Sequence, residues 1–200
     1  MSSPWLIAGL GNPGPKYERT RHNAGFWFLD RLAARHGISL KSEKKMHGRA
    51  ARARLGGVDA VLLAPETFMN ESGRALRAAI DFYRIEPDNV LVAYDDLDLP
   101  PGTAKLKKDG GHGGHNGLRS IFSHFGTPEF WRVRIGIGHP GVAEAVTPWV
   151  LSRASADDEK AIVNAIDRSL DVMGEFLEGR VGDAMTHLHA RRKDAPENEN

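Results

Sequence analysis

The sequence predicts an α/β protein, a single-domain three-layer sandwich in which helices flank a mixed, largely parallel central sheet. Short apolar runs typical of buried strands alternate along the chain with segments whose apolar residues recur at helical spacing. The length of 200 residues suits one compact domain, and neither an internal repeat nor a linker-like composition divides the chain. We therefore expect one domain over residues 1–190 and a polar, disordered tail over residues 191–200.

The first third of the chain has the pattern of a strand, a helix and a group of strands. Residues 5–10 form an apolar run that stops at a Gly-Asn-Pro-Gly turn, which is typical of a buried strand. Residues 24–36 carry apolar side chains at helical spacing and end at a glycine, as an amphipathic helix does. Residues 38–55 alternate weakly, which favours a strand pair near a sheet edge. Residues 58–64 form a more apolar strand that a proline ends.

The same alternation continues to the end of the predicted domain. Asn70 has the position of a helix N-cap, and residues 75–83 follow it with helical spacing. Residues 89–94 form a buried strand that leads directly into two aspartates. Further on, the pattern predicts a helix at 118–125, a strand at 130–138, a long helix at 156–177 and a shorter helix ending near residue 190.

The composition excludes several classes of function. The chain has no cysteine, which removes cysteine nucleophiles, thiolate metal sites and disulfide frameworks and suits a reducing cytosol. No apolar stretch approaches the ~20 residues of a membrane span, and the first ten residues lack the pattern of a signal peptide. We expect a cytoplasmic protein without membrane association. The 27 Lys and Arg nearly balance the 26 Asp and Glu, so binding to a polyanion requires a local basic patch.

Polar residues follow the predicted strands at their carboxyl ends, where open α/β sheets bind their ligands. We expect these residues at one edge of the sheet: Asn12, His22, Asn70, Asp95, His115 and Asn116. The three asparagines have two interpretations. Their amides can donate to an oxyanion or recognise the peptide groups of a substrate, and asparagine is also typical of turns and caps.

His22 and Asp95 are a candidate general base and its partner. A histidine titrates near neutral pH, and a carboxylate on its second nitrogen fixes the tautomer and stabilises the imidazolium. The chain has no cysteine and no serine in a G-x-S-x-G elbow, so the nucleophile that suits His22 is water. The spacing alone fits equally a histidine that only caps the following helix.

Two glycine-rich segments also have more than one interpretation. Residues 9–14 match the dinucleotide fingerprint G-x-G-x-x-G, but prolines interrupt them and the helical spacing starts well beyond the second glycine. A turn that directs Asn12 into a cleft is the alternative. Residues 110–117 suit a flexible loop that approaches a substrate or phosphate, a metal site through His112 and His115, or a structural turn.

A basic cluster consists of Lys105, Lys107 and Lys108 with Arg132 and Arg134. Alternate residues of an extended strand share a face, so this cluster can place two pairs of cations on adjacent elements. Such an arrangement can bind a phosphate. A charged face that is simply solvated has the same composition.

As a set, six motifs resemble bacterial peptidyl-tRNA hydrolase, and the likeness runs from about residue 5 to residue 190. They stand in the family's order and spacing: Gly9-Leu-Gly-Asn-Pro-Gly14, Thr20-Arg-His-Asn-Ala-Gly25, Thr67-Phe-Met-Asn70 with Ser72-Gly73, Asp95-Asp-Leu-Asp-Leu-Pro100, Gly110-Gly-His-Gly-Gly-His-Asn-Gly117 and Arg134-Ile-Gly-Ile-Gly-His-Pro140. Each motif alone is weakly specific, whereas six in register are highly specific.

The resemblance implies a monomeric α/β enzyme, without metal or other cofactor, that hydrolyses the ester between a peptide and the 3′ ribose of tRNA. It implies that His22 is the general base, that Asp95 holds its basic form, and that Asn12 helps to discriminate N-blocked from free aminoacyl substrates. Further site positions follow from the same motifs. The resemblance implies that Tyr17, Phe68, Asn70 and Asn116 bind the substrate and that Met69 and His115 shape the cleft. It also implies that Lys107 and Arg134 bind the tRNA 5′ phosphate, with support from Lys105.

The chain departs from the family at two of these motifs. Asp96 stands where glutamate is common, and we expect it to tune the site only mildly. Phe68 replaces a tyrosine of some members, which keeps the stacking area and loses a hydroxyl. Two rival functions use the same fold. A non-catalytic RNA-binding protein needs Lys107 and Arg134 but not the histidine–aspartate pair, and a hydrolase of small esters or amides does not need the cations.

Overall fold

The computed structural model of the protein describes residues 3–190, so the tail predicted at residues 191–200 lies outside the described part. The strands are β1 (Trp5–Gly9), β2 (Lys41–Glu43), β3 (Gly48–Leu55), β4 (Val58–Pro65), β5 (Val90–Asp96), β6 (Ala104–Lys108) and β7 (Trp131–Gly136). The helices are α1 (Ala24–Arg35), α2 (Ser72–Tyr83), α3 (Asn116–Phe125), α4 (Val146–Val150), α5 (Ala156–Asp171), α6 (Met173–Leu177) and α7 (Val181–His189). None of these helices combines the length and the apolar content that crossing a bilayer requires.

All seven strands form one sheet in the order β2-β3-β4-β1-β5-β7-β6. The four central strands are mutually parallel, because β1 pairs with β4 and β5, and β5 pairs with β7, in the parallel sense. The edges are antiparallel: β2 and β3 extend one side and β6 the other. The predicted mixed, largely parallel sheet is therefore confirmed, as is the strand pair near an edge. The carboxyl ends of β4, β1, β5 and β7 meet at one rim.

Helices cover both faces of the sheet, which gives the three predicted layers. On β1, Ile7 points to the core beneath α1, α5, α6 and α7, whereas Leu6 and Ala8 point to the core beneath α2 and α3. This alternation follows from the two-residue period of a strand. All three side chains are fully buried. Burial of each large aliphatic or aromatic side chain stabilises the fold by roughly 1.5–3 kcal/mol, so both faces anchor their helices.

Two glycines let the start of α1 lie directly against the sheet. A Cβ at Gly25 would overlap the backbone at Leu10 and Ala93, and a Cβ at Gly9 would overlap the carbonyl of Gly25. Only hydrogen atoms fit in this space. The close approach fixes the 3₁₀ turn Arg21–Asn23, which immediately precedes α1, at the rim formed by the carboxyl ends of the strands.

The structure contradicts the prediction that Asn70 is a helix N-cap. A 3₁₀ turn spans Met69–Glu71, so α2 begins only at Ser72 and Glu71 holds the cap position without a side-chain bond. The hydroxyl of Ser72 donates to the carbonyl of Met69 at 2.8 Å, which stabilises the extra turn. Asn70 is exposed on this turn. The prediction failed because the 3₁₀ turn moves the cap position by one residue, from Asn70 to Glu71.

Two helices also differ from the sequence pattern. The single helix predicted at 156–177 is divided at Val172 into α5 and α6, because the backbone turns there and both segments must pack on the same core. Helix α4 has no counterpart among the predictions. Its five residues include β-branched side chains and Pro148, which are poor helix formers. A tertiary bond holds it instead: the indole of Trp149 donates to the carbonyl of Gly138 at 3.0 Å.

We predict that Gly25→Ala destabilises the protein by about 3 kcal/mol, since the added methyl group forces α1 away from the sheet. For a domain of this size, the melting temperature should fall by roughly 10 °C. The control is Gly174→Ala in α6, where an added Cβ meets nothing within 4 Å. Thermal unfolding of both variants by circular dichroism measures the difference, and an unchanged Tm for Gly25→Ala contradicts the close-approach argument.

Candidate active site

His22 and Asp95 meet at the rim of the sheet as a buried pair. His22 lies in the turn before α1, and Asp95 is the penultimate residue of β5. The Nδ1 atom of His22 is 3.0 Å from Oδ1 and 2.9 Å from Oδ2 of Asp95. The exposed fractions are 8% for His22 and 2% for Asp95. Asn23, not His22, occupies the N-cap of α1, so the interpretation of His22 as a helix cap is wrong.

His115 contacts the same carboxylate from the other side. Its Nε2 lies 2.9 Å from Oδ1 of Asp95. At the start of α3, its Nδ1 accepts hydrogen bonds from the backbone N–H groups of Gly117 at 3.1 Å and Leu118 at 3.4 Å. A nitrogen that accepts carries no proton, so we infer that the proton is on Nε2 and is donated to Asp95. The helix cap thus determines the tautomer of His115.

The same carboxylate determines the protonation of His22. Burial raises the pKa of a carboxyl, but the charges and hydrogen bonds of His22 and His115 outweigh it and hold the pKa of Asp95 below its ordinary value. Burial lowers the pKa of His22, and the negative charge of Asp95 and its hydrogen bond reverse this and leave that pKa raised. Nδ1 of neutral His22 therefore donates to Asp95. Its Nε2 has no hydrogen-bond partner among residues 3–190 and is available as a base.

A metal ion does not suit this cluster, although ligand atoms of His22, Asp95 and His115 lie within 4.8 Å of one another. A metal on Nε2 of His115 would move the ring proton to Nδ1. That proton would then face the N–H groups of Gly117 and Leu118, which are donors themselves. The other part of the metal interpretation fails too, because the Nδ1 of His112 accepts from Gly114 N–H at 3.0 Å within the loop.

The pair opens into a cavity of about 610 Å³. Its walls combine the histidine base, the glycine-rich loop and cationic side chains: His22, Asp95, Gly111–Asn116, Lys107, Arg132 and Arg134 contribute, together with Asp96, Asp98 and residues of α4. A base, a glycine-rich loop and cations around one concave space are suited to an ester substrate that carries negative charge.

A network of buried hydrogen bonds fixes Asn12, which does not itself line this cavity. Its Oδ1 accepts from Met69 N–H at 2.8 Å. The backbone N–H of Asn12 donates to Oδ1 of Asn23 at 2.8 Å, and Nδ2 of Asn23 donates to the backbone carbonyl of Asn12 at 3.0 Å. Within the described chain, Nδ2 of Asn12 has no acceptor and can donate to a ligand. Residues 9–14 therefore form a turn, as the alternative to the dinucleotide fingerprint predicted, but Asn12 lines neither the cavity of His22 nor the cavity of Phe68.

The remaining predicted residues are Met69, Tyr17, Phe68 and Asn70, and none of them lines the cavity of His22. Met69 is buried, and its sulfur lies 2.7 Å from the point where Gly117 would carry a Cβ, so it packs under the glycine loop. Tyr17 and Phe68 form an edge-to-face pair with ring centroids 6.4 Å apart, and Phe68 is 55% exposed. Phe68 lines a second cavity of about 510 Å³. Asn70 lines neither cavity.

The cationic pairs are arranged across β6 and β7. Lys105 stands opposite Arg134 and Lys107 opposite Arg132, which confirms the predicted sharing of a face. The roles differ within these pairs. Lys107 and Arg134 line the large cavity, whereas Lys105 is exposed outside its lining. The terminal nitrogens of Arg132, which is only 2% exposed, donate to carbonyls of the glycine loop at 2.6 and 2.7 Å. Arg132 therefore fixes the loop, which the sequence did not predict.

Several residues of the site were not identified from sequence. Asn23 pairs with Asn12 through hydrogen bonds. The guanidinium of Arg21 lies 3.7 Å from the ring centroid of Trp149, and this contact joins the 3₁₀ turn Arg21–Asn23 to α4. Asp96 contacts Arg134 through an ion pair of 2.7 Å. Asn23 and Asp96 stand next to predicted site residues, so their position was a usable signal. Trp149 carried no such signal, because its contact depends on a helix that the pattern did not reveal.

The similarity to known proteins agrees with this fold. Residues 6–197 match the family model described as Peptidyl-tRNA hydrolase. Peptidyl-tRNA hydrolase of Acidithiobacillus ferrooxidans is 53% identical over 186 residues, covering 93% of this chain and 98% of that protein. The protein of the same name from Xanthomonas campestris pv. campestris is 51% identical over 193 residues, covering 96% and 100%. The crystal structure of peptidyl-tRNA hydrolase from Acinetobacter baumannii has a TM-score of 0.91 at 47% identity, covering 95% and 96% of the two chains. The chain belongs to the peptidyl-tRNA hydrolase family.

We predict that Asp95→Asn lowers the pKa of His22. The carboxylate raises this pKa against the effect of burial, so its removal leaves burial dominant and the imidazolium is lost at lower pH. An NMR titration of the His22 ring measures the change. Asp59→Asn, on the exposed part of β4, removes the same charge far from the rim and should leave the titration of His22 unaltered. Equal titrations in Asp95→Asn and the wild type contradict the assignment.

Proposed function

We propose that the protein hydrolyses the ester bond between the peptide and the 3′ ribose of peptidyl-tRNA and releases free tRNA, acting as a cytoplasmic monomer. The observation that carries this proposal is the buried pair of His22 and Asp95, whose free imidazole nitrogen opens into a cavity lined also by Lys107, Arg132 and Arg134. Membership of the peptidyl-tRNA hydrolase family supports the same substrate class.

The proposed chemistry needs only a base and a water molecule. Nε2 of His22 takes a proton from water as the oxygen attacks the ester carbonyl, and Asp95 stabilises the imidazolium that forms. The tetrahedral intermediate then collapses: the bond to the ribose oxygen breaks, and His22 returns the proton to that oxygen. The products are a free 3′-hydroxyl and a peptide carboxylic acid, which releases its remaining proton to solvent and becomes a carboxylate. No metal ion takes part.

Amide donors suit the oxyanion and the peptide. We assign Asn12 to discrimination of N-blocked from free aminoacyl groups, because among residues 3–190 its Nδ2 has no acceptor while its oxygen accepts from Met69 N–H. Asn116 lies at the start of α3 on the cavity wall and binds the substrate beside His115. Met69 and His115 shape the cleft. Tyr17, Phe68 and Asn70 extend substrate binding beyond it, and the exposed ring of Phe68 is available for stacking.

Lys107 and Arg134 bind the 5′ phosphate of the tRNA, with Lys105 as support. Both of the first two side chains line the cavity that contains the base, so ester and phosphate can be held by one surface. Backbone contacts of this kind carry no sequence information, which suits an enzyme that must accept many tRNAs.

The rival functions explain less of the site. A buried carboxylate is costly unless it is paired, and here its pairing with His22 leaves one imidazole nitrogen free. A protein that only binds RNA gains nothing from this arrangement. A hydrolase of small esters has no use for cations in the lining of the cavity. The combination of base and cations favours an ester attached to a phosphorylated polymer.

We predict that His22→Ala lowers kcat for N-acetylaminoacyl-tRNA by 10²- to 10⁴-fold, because the general base is lost. The affinity for tRNA should remain within about twofold of the wild type, since the phosphate-binding residues are unchanged. Release of free tRNA measures turnover, and unblocked aminoacyl-tRNA serves as the control substrate.

The matched control for this variant is His36→Ala, at the exposed end of α1, which should keep full activity. Retention of more than a few per cent of turnover by His22→Ala contradicts the base assignment. Release of tRNA from neither substrate by the wild type contradicts the proposed function.

We predict that Lys107→Ala combined with Arg134→Ala raises KM for full-length substrate roughly 10- to 100-fold, because two charge-assisted contacts to phosphate are lost. A minimal acyl-adenosine substrate has no 5′ phosphate at that distance, so its KM should stay unchanged. Lys160→Ala with Arg180→Ala removes the same charge from the opposite helical layer as a control. Equal effects on both substrates would remove the phosphate assignment.

A further inference from the structure

Asp96 is a buried carboxylate beside the cationic wall, and the proposed hydrolysis does not use it. It is 8% exposed and makes three contacts. Oδ1 accepts from Asp98 N–H at 2.9 Å, while Oδ2 accepts from Nε–H of Arg134 at 2.7 Å and lies 3.5 Å from the hydroxyl of Tyr94. The backbone bond and the buried tyrosine hold the carboxylate in one place.

The ion pair uses only one of the donor groups of Arg134. The guanidinium is planar and rigid, so a bond to Nε fixes the plane and the direction of both terminal nitrogens. These nitrogens have no hydrogen-bond partner in the described part of the chain, and Arg134 lines the cavity together with Lys107. Two donors with a fixed direction match two oxygens of one phosphate.

A carboxylate beside a phosphate site also has a cost, because it repels the anion and reduces the net charge of the wall. If Asp96 only neutralised Arg134, its removal would strengthen phosphate binding. If it orients Arg134, its removal would weaken binding, because the long side chain would lose its fixed rotamer. The two roles therefore predict opposite changes in phosphate affinity when Asp96 is removed. Orientation of Arg134 requires a carboxylate that is itself held in place, and the burial and three contacts of Asp96 meet this requirement.

We propose that Asp96 is a positioning residue for phosphate recognition, which holds the guanidinium of Arg134 so that its terminal nitrogens and Lys107 address one 5′ phosphate group. This inference rests on the proposed function. It replaces the expectation that the residue after Asp95 tunes the site only mildly. Its effect should be confined to binding of the phosphate and should not reach the base, since Asp95 bonds His22 and His115 on its own.

The test compares Asp96→Asn, which keeps the shape and removes the charge, with Asp96→Glu, which keeps the carboxylate. Steady-state hydrolysis is measured on N-acetylaminoacyl-tRNA with and without its 5′ phosphate. Asp96→Asn should raise KM about five- to tenfold for the phosphorylated substrate only, with kcat unchanged. The reason is that the Arg134 side chain, no longer held by a carboxylate, makes a weaker charge-assisted contact with the phosphate. Asp96→Glu should restore KM to within about twofold of the wild type. In an Arg134→Ala background, Asp96→Asn should have no further effect on KM.

Several results would overturn the inference. The first is a lower or unchanged KM for Asp96→Asn on the phosphorylated substrate. The second is an equal rise in KM on the phosphorylated and dephosphorylated substrates. The third is a wild-type KM that is the same for both substrates. If Asp96→Asn does not fold, Arg134→Lys takes its place, since lysine keeps the charge but has no Nε–H for Asp96. A wild-type KM for Arg134→Lys would then contradict the positioning role.

A direct binding measurement separates this inference from the proposed function. Fluorescence anisotropy with deacylated tRNA, phosphorylated or dephosphorylated, reports Kd without turnover. Failure of the wild type to hydrolyse the ester contradicts the proposed function. A Kd for phosphorylated tRNA that Asp96→Asn leaves unchanged contradicts the role of Asp96, whatever the turnover.

Discussion

The site depends on the ionised carboxylate of Asp95, which accepts N–H donors from two histidines inside the protein. A buried carboxylate is costly unless each oxygen is hydrogen-bonded, and here His22 and His115 supply the donors. The same bonds fix both tautomers. His115 is locked because its other nitrogen caps α3, so the free nitrogen of the site belongs to His22. One carboxylate thus determines which ring can act as a base.

The backbone makes this arrangement possible through close packing rather than through further polar contacts. Gly9 and Gly25 bring the start of α1 against β1 and β5, and the residues just before that helix must then lie at the end of β5. His22 reaches Asp95 as a consequence of this packing. A larger residue at either glycine would separate the histidine from its partner, so the fold and the base share one steric constraint.

Much of this could be predicted from sequence, because the relevant signals are local. Apolar runs that end in polar residues indicated which end of the sheet forms the rim. That prediction placed His22, Asp95 and His115 together. Two of the failures are contacts between distant segments. Arg132 has the composition of a surface cation, yet its partners are loop carbonyls 21 and 22 residues away. Helix α4 is held by Trp149, whose indole bonds a carbonyl 11 residues away. The failure at Asn70 is local, because Ser72 bonds the carbonyl of Met69 and the cap position moves to Glu71.

The end of β5 shows why two adjacent carboxylates can have separate roles. Successive side chains of a strand point to opposite faces, so Asp95 turns to the histidines while Asp96 joins Tyr94 on the face that meets Arg134. A shift of one residue in the register would exchange these roles and leave both the base and the arginine without their partners. The register between β5 and β7 therefore sets the separation between the free nitrogen of His22 and the guanidinium of Arg134, and the proposed function requires a substrate whose ester and phosphate span that separation.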